Sequence, residues 1–65
     1  MSLGTNIKVT RIKQNISQGD LAKTIGISQN HLCLIEGDNG TPSLATLQKI
    51  ADSLKTTVSE LTKIE

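Results

Sequence analysis

The side chains of this chain that could do chemistry gather in Gln18 to Glu36, QGDLAKTIGISQNHLCLIE. Its one histidine and one cysteine, His31 and Cys33, stand two residues apart. On a helix such neighbours point to different sides and make no metal site. No carboxylate pair has supporting geometry, and 65 residues leave too little volume for a substrate pocket, so the enzyme reading is poor and no cofactor is implied. What remains is hydrogen-bonding chemistry, concentrated in Ser28, Gln29 and Asn30. Serine is a residue type that opens helices by capping them. Nearly everything polar after Ser28 falls at the start of the helix and along one outer side, the pattern of a helix offered to a DNA groove.

Positioning such a helix requires a second one crossed against it. Leu21, Ala22, Ile25, Ile27, Leu32 and Ile35 have the spacing to face inward from two short helices, and Gly26 sits where the chain must reverse, since glycine takes positive φ without steric cost. Five helices follow from apolar spacing and capping residues. The first is expected over Asn6 to Gln14, with Thr5 as cap and Leu3, Ile7 and Ile12 as anchors. Asn15, tolerant of left-handed backbone, ends it. Ser17 caps the second, with Asp20 in a capping-box-like position, and Gly19 inside it is a local fault costing about 1 kcal/mol against alanine. The third runs from Ser28 to Glu36, and Gly37 to Pro42 reads as a loop. Ser43 caps a fourth helix whose buried face is Leu44, Leu47, Ile50, Ala51 and Leu54. Thr57 and Glu60 form a capping-box pattern for a last short helix bearing Val58, Leu61 and Ile64 on one side. Strand signals are absent. The expected fold is all-α, a five-helix bundle forming one domain over 1–65, with residues 1–4 as a flexible end or cloning remnant.

Composition narrows the partners. Apolar residues make up 35% of the chain with no Phe, Tyr or Trp, so the core must be aliphatic and thin. Proteins that read RNA or single strands usually stack bases on aromatic rings, so those readings lose weight. Seven basic and six acidic residues give a net charge of +1, and any basic surface must come from placement. Lys8, Arg11, Lys13 and Lys23 come early, whereas Asp52, Glu60 and Glu65 come late. A single cysteine excludes an intrachain disulfide and suits a reducing compartment. With no membrane-length apolar run and no signal-peptide pattern, the default location is the cytoplasm and no membrane partner is expected.

Several linked segments closely resemble the Cro and lambda-repressor-like (XRE-type) helix-turn-helix family: IKVTRIK in the first helix, SQGDLAKTIGIS through the turn, LCLIEG closing the third, TPSLATLQKIADSL in the fourth, and VSEL at the usual distance beyond. The resemblance covers roughly Ile7 to Leu61, with the motif itself at about 18–37. It implies a third helix that enters the major groove. Gln18 looks like the family glutamine that meets a phosphate and braces the first glutamine of that helix. Gln29 is then the braced residue and the leading candidate for reading a base, since an amide bonds the adenine edge in bidentate fashion. Asn30 has the same chemistry on a shorter stem. Leu34, one turn on, is expected at a thymine methyl, and Ser28 at a phosphate or its own helix cap. Cys33 is expected at the groove edge or half buried, as a small apolar filler. Arg11 and Glu36 match the family's internal ion pair joining the first helix to the end of the third.

The chain also departs from that pattern. Its loop reads GDNGT, with Asp38 where a cation is usual, so backbone contacts there fall to amides and to residues such as Asn39 and Thr41. Thr10 replaces a usual large apolar residue, which affects how the first helix packs. The function implied is double-stranded DNA binding by a transcriptional regulator. One short helix reads only a few base pairs, so a homodimer on a palindromic operator is expected; the last helix, through Ile64 and Leu61, either forms the dimer surface or packs against the fourth helix. The alternative is an antitoxin-like module whose main task is to hold a protein partner.

Overall fold

Each helix begins where the sequence supplies a hydroxyl. The side-chain oxygens of Ser2, Ser17, Ser28, Ser43 and Thr57 accept from the backbone N–H three residues on, at 3.2, 3.0, 3.0, 3.2 and 3.1 Å. Such caps satisfy donors that a helix start leaves orphaned and contribute typically about 1 kcal/mol each. The computed structural model describes residues 2–63. Its elements in chain order are α1 (Leu3–Lys13), α2 (Gln18–Ile25), α3 (Gln29–Glu36), α4 (Leu44–Ser53) and α5 (Val58–Leu61), with no strand among the described residues. None of these helices is long and apolar enough to cross a membrane.

Helices this short are unstable alone and are held by what they bury. Ile7, Leu21, Leu32, Ile35, Ile50, Leu54 and Leu61 are fully buried, with Ala22, Ile25, Leu47 and Ala51 completing the cluster and Leu3, Ile16, Ile27 and Val58 packed around it. The core is aliphatic throughout. α2 packs on both α3 and α4, while α1 spans α3 and α5. Between α2 and α3, Gly26 adopts φ 80°, its N–H donates to Ala22 O at 2.9 Å, and Ile27 N donates to the same oxygen at 3.0 Å. That turn reverses the chain in few residues and fixes how the two helices cross. Asn15 also takes left-handed backbone, at φ 58°.

Four expectations need correction. α1 starts at Leu3 rather than Asn6, and its cap is Ser2, not Thr5, so Leu3 and Gly4 lie within the helix. Ile12 is 54% exposed and anchors nothing, because it stands five residues, or 140° of helical turn, beyond Ile7. The inward position one turn after Ile7 belongs to Arg11. Leu44 is 74% exposed despite its correct spacing from Leu47. As the first residue of α4 its side chain leans toward the helix start, beyond the edge of the bundle. Of the two residues named for a dimer surface, Leu61 is 1% exposed and belongs to the core instead, and Ile64 lies outside the described residues.

Candidate nucleic-acid interface

Capping by Ser17 places Gln18 at the first position of α2, and capping by Ser28 places Gln29 at the first position of α3. The crossed packing of the two helices brings these glutamines together: Gln29 Nε2 donates to Gln18 Oε1 at 3.4 Å. Gln18 Nε2 donates in turn to Glu36 Oε1 at 3.1 Å. Glu36 is held from α1, where Arg11 Nε donates to Oε2 at 2.8 Å and Arg11 Nη2 to Oε1 at 3.0 Å. Arg11 Nη1 donates to Ile16 O at 2.8 Å, which ties the same guanidinium to the link between α1 and α2. The two charged side chains are 10% and 2% exposed, so this fork is buried and bidentate.

α3 is thereby divided in two. Leu32, Ile35 and Glu36 face the bundle, while Gln29, Asn30, Cys33 and Leu34 face outward as two overlapping i, i+4 pairs. Gln18, Gln29, Asn30 and Cys33 line a shallow depression between the start of α2 and the outer side of α3. Leu34 is 43% exposed, large for a leucine on a domain with so few exposed apolar side chains. Ser28 is exposed, its Oγ accepting from His31 N. Asn39 and Thr41 are exposed on the loop after α3, with Asn39 N donating to Leu34 O at 2.8 Å.

The structure places three further residues differently from the sequence reading. Cys33 is exposed on the outer face, which fits the groove edge but not half-burial as an apolar filler. Gly19 is no mere fault in α2: a Cβ there would stand 3.3 Å from Gln29 Oε1, so the Gln29 amide lies over the bare first turn of α2. Asp38 takes φ 61°, and its carboxylate accepts from Gly4 N at 3.0 Å and from Ser2 Oγ at 2.6 Å. An anion at a helix start is favoured by the helix dipole, so Asp38 closes the end of α1. Sequence spacing gives no sign of this, since the partners are more than thirty residues apart.

Electrostatically the outer surface from Ser28 to Thr41 is nearly neutral. Within that segment Glu36 is buried in its pair with Arg11, Asp38 is engaged with α1, and there is no Lys or Arg. Such a surface offers amide, hydroxyl and apolar contacts rather than cationic ones.

Comparison with known proteins accords with this geometry. The immunity repressor protein of Bacillus phage phi105 is 36% identical over 61 residues, which is 94% of this chain but only 42% of that protein. The P22 c2 repressor, in a crystal structure with a synthetic operator, superposes with a TM-score of 0.91 at 25% identity over 97% of this chain and 96% of that one. SinR, a regulator of biofilm formation crystallised with DNA, gives 0.85 at 30% identity over 91% of this chain and 95% of that one. Residues 7–61 match the helix-turn-helix family, and with α2 and α3 as its crossed pair the chain belongs to that family in its Cro and lambda-repressor-like form.

Proposed function

We propose that the chain is a sequence-specific double-stranded DNA-binding transcriptional regulator that presents the outer face of α3 to the major groove. The observation that carries this reading is the outward group of Gln29, Asn30 and Leu34 on a helix whose other side is locked into the core. Gln29 and Asn30 supply amides for base edges, and Leu34 an apolar contact for a thymine methyl. Gln18, Ser28, Asn39 and Thr41 supply phosphate contacts at the rim. The P22 c2 repressor and SinR, both solved on DNA with this fold, support binding to duplex DNA. A single α3 of eight residues spans few base pairs, so the proposal includes two copies on a palindromic site, half-sites about one helical turn apart. The protein has no catalytic step in this reading and works in the cytoplasm.

Selection of binding sites from random duplexes tests the reading. With Gln29→Ala, preference is expected to relax at one base position per half-site, by about 5- to 150-fold between the right and wrong base. A loss of affinity uniform across all sequences would assign Gln29 to the backbone instead.

Salt dependence gives a second expected result. Each phosphate neutralised by Lys or Arg contributes about −0.9 to the slope of log affinity against log salt. With no cation from Ser28 to Thr41, the slope should be about −2 per domain or shallower. A titration giving about −5 per domain would count against the proposed contact surface.

A further inference from the structure

We infer that Asp38 is a positioning residue for the backbone contacts: bonded to the start of α1, it fixes the loop that presents Asn39 and Thr41 to phosphates; this rests on the reading of those two residues above. α3 ends in the paired bonds of a left-handed cap, with Asp38 N donating to Ile35 O at 3.1 Å and Asn39 N to Leu34 O at 2.8 Å. The left-handed position of such a cap is usually glycine, yet here it is Asp38, at φ 61°. The residue type is unfavourable on two further counts. A carboxylate at the end of α3 opposes the dipole of that helix, and on a rim that meets phosphates it repels them. One arrangement offsets all three. The carboxylate is taken up by α1, accepting from Gly4 N at 3.0 Å and from Ser2 Oγ at 2.6 Å.

These bonds join α1, the end of α3 and the loop at one point. Gly4, lacking a Cβ, lets α1 press against the carbonyls of Ile35 and Glu36, and Asp38 ties the loop to that same start of α1. The residues that follow are held closely. The Asn39 side-chain amide lies over Gly37, 3.1 Å from where a Cβ would stand, and a Cβ on Gly40 would meet Leu34 Cβ at 3.6 Å. The loop is thus folded against the rim of the outer face of α3, with Thr41 next in the chain before Pro42. A bond to phosphate contributes most where its donor already stands in place, because the loop then loses no freedom on binding. With glycine at position 38 the cap of α3 would persist, but the loop would lose its anchor.

The test compares Asp38→Gly with Asp38→Asn, so that both variants lack the charge. Asparagine tolerates left-handed backbone, and its amide keeps both links, Oδ1 accepting from Gly4 N and Nδ2 donating to Ser2 Oγ. Glycine keeps the backbone and has neither link. Affinities for the selected duplex and for scrambled duplexes are measured where circular dichroism shows each variant folded. Asp38→Gly is expected to bind every sequence about three- to tenfold more weakly than Asp38→Asn. Base preferences are expected to match those of the parent protein, since backbone contacts carry no sequence information. A role confined to stability would separate the two variants in denaturant midpoint and leave their affinities alike. Should Asp38→Gly fail to fold, hydrogen exchange in the parent protein decides. With duplex bound, exchange at Gly4 N–H is then expected to slow by about threefold or more beyond any slowing at Glu60 N–H, the donor that Thr57 caps at the start of α5. Asn39→Ala and Thr41→Ala test the underlying reading. If either weakens binding while Asp38→Gly stays within about twofold of Asp38→Asn, or exchange at Gly4 merely tracks that at Glu60, the positioning role is overturned and the backbone contacts stand. If neither weakens binding, the contacts fall and the positioning role falls with them, while base reading by α3 is untouched.

Discussion

Arg11→Ala is expected to leave much of the protein unfolded at room temperature. Removing one partner of a buried pair typically costs about 3–5 kcal/mol, because the survivor stays desolvated. Here the survivor is Glu36, whose side chain is 2% exposed and would keep only the Gln18 amide as a neutral donor. A 65-residue domain has a total stability of about 3–10 kcal/mol at the usual value per residue, so the loss is of the same order as the whole. Arg11 also donates to Ile16 O, and that carbonyl would be left without its partner. Lys13, exposed two residues on, provides the control: Lys13→Ala should change stability by no more than about 0.5 kcal/mol. Denaturant midpoints measured side by side check the pair, and equal midpoints would mean that the fork contributes nothing. Replacing both partners, Arg11→Met with Glu36→Leu, should recover most of the loss, since matched apolar side chains avoid the desolvation that the ion pair must offset.

The same burial explains why α1 is the least legible helix. Its buried residues are Gly4, Asn6, Ile7 and Arg11, only one of which is large and apolar. A search for apolar spacing therefore settles on Ile12, which faces water. Asn6 is buried because its Nδ2 donates to Leu61 O at 2.8 Å and Lys63 O at 2.9 Å, joining α1 to the far end of the chain. A bond across that separation leaves no local pattern. α2 and α4 are easier: Leu21, Ala22 and Ile25 in one, Leu47, Ile50 and Ala51 in the other, repeat at helical spacing behind a serine cap. Only Leu44 misleads, since spacing identifies a face but not where the core ends.

The candidate site divides along the same line. The split of α3 into inner and outer faces follows from periodicity, as does the left-handed turn at Gly26 from its residue type. The bond from Gln18 to Glu36 does not, because it depends on how α2 crosses the end of α3. Asp38 and Lys55 share a further difficulty. Both take positive φ, at 61° and 55°, without being glycine. For Asp38 the compensation is visible in its two bonds to the start of α1. Aspartate tolerates that backbone better than most residues, but its reason for being there is tertiary.

Gly4→Ala is the second large expected effect, and it runs against helix propensity. Alanine in a helix interior is favoured over glycine by about 1 kcal/mol, and Gly4 lies within α1. A Cβ at this position, however, would stand 2.5 Å from Ile35 O, 2.6 Å from Glu36 O and 2.7 Å from Asp38 Oδ1. Two of those atoms are backbone carbonyls at the end of α3, so no side-chain rotation relieves the clash. α1 must move away from α3, loosening the bond from Gly4 N to Asp38 and the seat of Glu36 opposite Arg11. Overpacking of this kind costs about 1–3 kcal/mol or more, and the weakened cap of α1 adds to it, so a net loss of about 2 kcal/mol is expected. For a domain of this size that lowers the melting temperature by roughly 8–16 °C. Gly40→Ala separates the clash from any general effect of removing a glycine, because a Cβ there meets Leu34 Cβ at an ordinary 3.6 Å. It should be neutral or stabilising by up to about 1 kcal/mol through the unfolded state. Were Gly4→Ala to melt with or above the parent protein, the close approach of α1 to the end of α3 could not be what holds the Arg11–Glu36 fork and the glutamines behind the outer face of α3.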